Sequence, residues 1–185
     1  MTASAGAVVI GIGNGFRRDD GVGPVVAELV RERSATLPLP AGTAVHTCDG
    51  DPGRLIGLWE NAALAVVVDA CFPPSPRPGR VHRWCPLPDA VPRLAARHST
   101  HGLGLAEAVR LAHVLGRGPR RLVVYAVEGA DRSLGTGLTP AVADAARALA
   151  GRVEDDLTGT APPGTEATGR PIRFPSGDTP DGHPS

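Results

Sequence analysis

No lysine occurs anywhere in this chain; all 19 of its Lys+Arg residues are arginine. That excludes Schiff-base chemistry, which needs a primary amine, and a P-loop, whose lysine reaches the nucleotide phosphates. Aromatic residues make up 3% of the chain against 42% hydrophobic residues, so the core has to be built from Val, Leu and Ala. The three cysteines, Cys48, Cys71 and Cys85, form no C-x-x-C pair. An odd number without a framework fits a reduced, cytoplasmic protein better than a secreted one. Neither sign of charge dominates: 19 acidic residues balance the arginines, and no long basic block is present. A nucleic-acid or anionic-membrane surface is therefore not expected. The opening MTASAGAVVIGIG lacks the basic start of a signal peptide, and its apolar run is too short to span a bilayer. No G-x-S-x-G elbow and no H-E-x-x-H helix occurs, and no Ser, Cys or Thr nucleophile with a partnered base is evident.

What is present alternates. Strand-like segments fall at about 7–12, 43–48, 64–69, 80–84 and 121–127, separated for most of the length by helical patterns. Gly102–Leu115 carries Leu105, Val109, Ala112 and Leu115 at helical spacing. Thr139-Pro140 reads as an N-cap with proline at the first helical position, and Val142, Ala146, Leu149 and Val153 mark one buried face of a closing helix. Alternation of strand and helix predicts a single-domain α/β layer fold with a largely parallel sheet. The segment 72–80, FPPSPRPGR, is a stiff loop because its four prolines forbid helix or inner strand. The domain is expected to span 1–157. Residues 158–185, rich in Pro, Gly, Ser and Thr with almost nothing to bury, read as a disordered tail.

The most informative stretch is Val8–Pro24, VVIGIGNGFRRDDGVGP. A buried strand runs into a glycine-rich turn and two adjacent carboxylates, and then into a helix whose first turn holds Pro24. Asp19 and Asp20 thus sit at the carboxyl end of a strand, where ligand sites gather in open α/β sheets. The plainer alternative is that they cap the helix and complement its dipole. A dinucleotide fingerprint is excluded, because Gly11-x-Gly13 is followed by Phe16 where the last glycine belongs. The two acids would also repel a pyrophosphate.

Two further features join the pair. LAVVVDA (64–70) is an apolar strand ending in Asp69, which points to the same rim as Asp20 if the strands are parallel neighbours. His98 and His101 lie just ahead of the Gly102 helix, and spacing alone does not choose between them. Two carboxylates and an imidazole at successive strand-to-helix junctions suit a divalent ion with mixed N/O ligation, such as zinc or nickel. Asp69 taken alone could equally cap its loop.

The segments GIGNGFRRDDGVGP, VVVDA, STHGLGL and RRLVVYAVEGADRSLGTGLTPAV together resemble the [NiFe]-hydrogenase maturation proteases over roughly residues 6–157. These endopeptidases trim the C-terminal extension of the hydrogenase large subunit once its nickel is inserted. The resemblance implies a three-layer fold, a five-stranded twisted, mostly parallel sheet with helices on both faces. It places the family's metal-contacting side chains on Asp20, Asp69 and His101, choosing His101 over His98. Asp49, in Cys48-Asp49-Gly50, matches an Asp-Gly common in the family, with a simple turn as the alternative. Glu128 matches a recurrent position and is expected to organise the rim by hydrogen bonding. Cys71, two residues past Asp69, can face the same side of an extended chain, with small buried packing as its expected role. After Asp69 the family usually runs through a short glycine-containing loop to Pro-Gly, whereas here CFPPSPR precedes Pro78-Gly79.

The resemblance thus implies a cytoplasmic endopeptidase acting on a [NiFe]-hydrogenase large-subunit precursor, with nickel supplied by that precursor and a metal-activated water as the attacking group. A monomer is expected, with no nucleic-acid or membrane partner. The alternatives are a resident-metal hydrolase of a small amide or ester and a non-catalytic chaperone of the nickel-containing precursor. The trio is expected on an exposed rim, and Asp19, if it only caps the helix, should cost about 1 kcal/mol when changed to Asn. Deleting residues from about 160 onward should shift the thermal midpoint by no more than a few degrees, because that segment has too little apolar surface to offset the entropy of ordering it. Calorimetry of the truncated and full-length chains checks this.

Overall fold

The computed structural model describes residues 6–85 and 102–160. His98, His101 and the proposed tail beyond residue 160 lie outside the described residues. The elements are β1 (Ala7–Ile12), a 3-10 turn (Arg18–Gly21), α1 (Val22–Arg33), β2 (Ala44–Cys48), α2 (Pro52–Trp59), β3 (Leu64–Cys71), β4 (Val81–Trp84), α3 (Gly102–Leu115), β5 (Leu122–Glu128) and α4 (Pro140–Thr158). The strands form one five-stranded sheet in the order β2-β1-β3-β5-β4. Four of them are parallel, and only β4 runs antiparallel, against β5. The carboxyl ends of β1, β2, β3 and β5 therefore share one rim.

Side-chain alternation divides the valine-rich core in two. Val66, Val68 and Ala70 of β3 pack with Val22, Val26 and Val30 of α1 and with Val142, Ala146, Leu149 and Val153 of α4. Ala65, Val67 and Cys71 face the other way, onto Leu55, Ile56 and Trp59 of α2 and Leu105, Val109 and Ala112 of α3. The three-layer α/β architecture is as expected. The helix α2 was not anticipated, although Asp51-Pro52 is a start signal: the Asp51 side chain accepts the Arg54 amide at 2.8 Å, with Pro52 at the first helical position. The third strand is two residues longer than expected, because Ala70 and Cys71 continue the ladder beside Val127 and Glu128. The proline-rich segment 72–80 contains neither helix nor strand, as its composition demands. No helix among the described residues is long and apolar enough to cross a membrane.

Close backbone approach fixes where α1 begins. A Cβ on Gly23 would lie 2.2 Å from the Ile12 carbonyl oxygen and 2.5 Å from that of Val68. Only glycine lets the first turn of α1 rest on the ends of β1 and β3. On the α1/α4 side a buried polar cluster joins β4, β5 and α4. Asp156 accepts from the Tyr125 hydroxyl at 2.6 Å and from Arg83 Nη2 at 2.7 Å. Hydrogen bonding to Asp156 outweighs burial and holds the Arg83 guanidinium charged. Burial first, and then Asp156, push the Tyr125 phenol above its ordinary range. Asp156→Ala strands both donors, and should cost about 3–5 kcal/mol by urea unfolding, the range for breaking a buried ion pair.

Candidate functional site at the carboxyl rim

The turn after β1 is built around its acids. The Gly13 amide donates to the Cys48 carbonyl at 3.1 Å, tying the β1 and β2 ends together. At φ +147°, with a would-be Cβ 2.0 Å from the Asp20 carbonyl oxygen, position 13 admits only glycine. The Asn14 amide then donates to Asp20 Oδ2 at 3.2 Å, which fixes the carboxylate over the end of β1. Asp69 stands in β3 opposite Ala126, on the α2/α3 face with Cys71, and its Oδ1 accepts the Ala70 amide at 2.8 Å. Both acids are buried, Asp20 at 1% and Asp69 at 3% exposure. The expectation of an exposed rim is corrected: the turn and the strand ends close over both carboxylates.

The two acids stand at neighbouring strand ends, since β1 and β3 pair in parallel with Gly11 beside Val68. The helix α3 leads into β5, which runs parallel to β3, so α3 begins at this same rim. Its second glycine fits tightly there: a Cβ on Gly104 would lie 2.1 Å from the Gly50 carbonyl oxygen. In sequence, His101 immediately precedes that helix. Among the described residues no group of three or more His, Cys, Asp or Glu is arranged to hold a metal ion.

Asp19 behaves otherwise than a cap. It is fully buried, and its carboxylate accepts four hydrogen bonds from the loop after β5. The donors are the amides of Ala130 (2.8 Å), Asp131 (3.0 Å) and Thr139 (2.7 Å) and the Thr139 hydroxyl (2.9 Å). Thr139 holds the N-cap position of α4 but makes no capping bond with its side chain, because its hydroxyl is turned to Asp19. The backbone adds Asp19 N to Asp131 O at 2.9 Å and Gly135 N to Phe16 O at 2.9 Å. The capping role and its small cost are thus corrected to an inter-loop clamp, a contact 111–120 residues apart in sequence that no local pattern signals.

Glu128 does organise the rim by hydrogen bonding. It accepts the Arg77 amide at 2.5 Å and His82 Nε2 lies 2.7 Å away, so it pins the proline-rich loop to β4 and β5. Burial works to raise its pKa, but the Arg77 amide, His82 and Arg80 together outweigh that and leave it below the ordinary value. Asp49 closes a turn: its Oδ1 accepts the Asp51 amide at 3.4 Å, and its pKa is lowered chiefly by backbone amides. Burial disfavours the thiolate form of two of the cysteines. Cys71 is pushed up to about 12, first by burial and then by the charges of Glu128 and Asp69, and burial likewise raises Cys48.

The molecule is thus an open α/β protein with acidic residues gathered where the carboxyl ends of its parallel strands meet, the usual ligand rim of such sheets. The family model for hydrogenase maturation proteases (HycI) matches residues 45–156, and the chain belongs to that family. The match includes Asp69 and His101 and begins after Asp20. The chain is similar to the hydrogenase maturating endopeptidase HybD from E. coli, with 25% identity and a TM-score of 0.71 over 84% of this chain and 93% of that one. It shares its fold with the [NiFe] hydrogenase maturation protease HybD from Thermococcus kodakarensis, at 17% identity and a TM-score of 0.64 over 82% and 99%. No curated protein matches the chain in sequence.

Replacing Asp19 by Asn turns an amide NH2 toward backbone donors and leaves buried N–H groups unsatisfied. The expected loss is about 3 kcal/mol, several times a cap, with a thermal midpoint lower by on the order of 10 °C. Differential scanning calorimetry, with Thr139→Val as a milder companion, measures it.

Proposed function

We propose that this chain is an endopeptidase that removes the C-terminal extension of a [NiFe]-hydrogenase large-subunit precursor after nickel insertion. In this reading Asp20, Asp69 and His101 contact the nickel that the precursor already carries, so the metal is part of the substrate and licenses the cut. The observation that carries the reading is the pair of buried carboxylates at adjacent parallel strand ends, Asp20 and Asp69, in a member of the maturation protease family. Two carboxylates and an imidazole form the mixed oxygen and nitrogen donor set that suits a first-row divalent ion.

The surrounding residues support the division of labour. Asn14 orients Asp20 through its amide, and Ala70 does the same for Asp69. Glu128, held by Arg77 and His82, stays charged at neutral pH and fixes the loop bordering the rim. Burial pushes the Cys48 and Cys71 thiols toward their protonated forms, which favours water over either thiol as the group that adds to the scissile amide. The family's place in hydrogenase maturation implies a cytoplasmic site of action and a large-subunit partner.

A gel shift of the large subunit tests the reading. Wild-type protein should shorten nickel-loaded precursor and leave nickel-free precursor uncut. Asp20→Asn, Asp69→Asn and His101→Ala should each lower processing by at least about 100-fold, the scale lost when a positioned group is removed from a reacting centre. Equal cleavage with and without nickel would contradict recognition of the metal, and normal cleavage by His101→Ala would remove that residue from the site.

A further inference from the structure

Beside Asp20 a cleft of about 300 Å³ opens between the turn after β1 and the turn after β2, lined by Gly13, Gly15, Pro24, Thr47, Asp49 and Arg54 among others. Its size is at the low end of ligand pockets, roughly 300–1,000 Å³. Its lining combines bare backbone with polar side chains. Gly13 and Gly15 offer backbone without a side chain, and a Cβ at Gly15 would meet no atom within 4 Å. Thr47 and Arg54 are both exposed and supply donors, while Asp49 supplies an acceptor whose pKa is held low by neighbouring amides and, to a smaller degree, by Arg54. One acid and one base leave the lining without net charge. Donors and acceptors side by side, no net charge and side-chain-free walls complement an extended main chain, which carries an N–H and a C=O at every residue.

We propose that this cleft is the groove in which an extended main-chain segment of the precursor lies, next to the part of it that Asp20 addresses, with Arg54 and Thr47 donating to peptide carbonyls and Asp49 accepting from a peptide N–H. The inference rests on the peptidase reading for the identity of the segment. It goes beyond that reading in assigning Gly15 and Arg54 a specificity role. Position 15 is decisive because a side chain can be added there without disturbing the fold. Gly15 has an ordinary negative φ, unlike Gly13, and open space where a side chain would grow.

The experiment compares wild type, Gly15→Ala, Gly15→Leu and Arg54→Gln. Complex formation with nickel-loaded precursor is measured by biolayer interferometry, and processing by gel shift gives KM and kcat separately. Gly15→Leu should keep the wild-type thermal midpoint and weaken the complex about tenfold or more, through a steric clash with the bound chain. Gly15→Ala should stay within about threefold, and Arg54→Gln should weaken the complex by roughly three- to tenfold, the worth of one ordinary hydrogen bond from an exposed side chain. Where cleavage occurs, the change should fall on KM rather than kcat. Wild-type affinity in a folded Gly15→Leu, or no complex with wild type at all, overturns the groove. If Gly15→Leu does not fold, Arg54→Gln decides by the same measure, and wild-type affinity there overturns the groove. Binding that responds to these variants without any cleavage upholds the groove and sinks the peptidase reading, so the two fail separately.

Discussion

The rim of this protein depends on one buried carboxylate. Among the described residues no arginine pairs with Asp19; its carboxylate accepts from three backbone amides and a hydroxyl, all from the loop between β5 and α4. A charge taken out of water needs such a set of donors to be tolerated. In supplying them, the loop of residues 129–139 is drawn across the end of the sheet and locked to the turn after β1. Gly129 shows how close the parts come, since a Cβ there would lie 2.4 Å from the Phe72 ring and 2.9 Å from the Asp19 Cβ. Three loops that are remote in sequence therefore meet at a single acid.

That clamp also limits where the neighbouring acid can lie. Asp20 follows Asp19 directly, so any freedom in one is freedom in the other, and a positioned carboxylate loses its use with a displacement of about 1 Å. The glycines press from the opposite side. Gly23 holds the start of α1 on the ends of β1 and β3, and Gly13 makes room for the Asp20 carbonyl. The site is thus held from below by the sheet and from the side by a long-range hydrogen-bond network. A rim of this kind holds its carboxylates in place by backbone donors, the preorganisation that catalysis by positioning would require.

The remaining rim acids divide by what holds them. Glu128 is tied to the Arg77 amide and His82 and anchors the proline-rich loop. Asp49 is tied to its own turn and lines a cleft together with Arg54. The cysteines, few as they are, serve the core. Family membership places the chain among the hydrogenase maturation proteases, and the rim gathers its buried acids where ligand sites of such sheets lie.

The fold was largely legible because it rests on local and periodic signals. Runs such as Val66-Val67-Val68 and the helical spacing of Leu105, Val109 and Ala112 are visible in any window of the sequence, and their alternation dictates a parallel sheet. The location of Asp20 and Asp69 was legible for the same reason, since one follows and the other lies near the end of an apolar strand run. Their burial was not, because it comes from loops folding over them. Thr139 holds the N-cap position its local pattern signals, but the pattern could not show that its amide and hydroxyl go to Asp19, 120 positions away, and that Asp19 is therefore more than a cap. The sequence by itself determined the elements, their order and the residue types available at the strand ends. Only the tertiary structure decided which of two adjacent carboxylates would be consumed as a clamp, because that choice is made by donors that arrive from the far end of the chain once the sheet has formed.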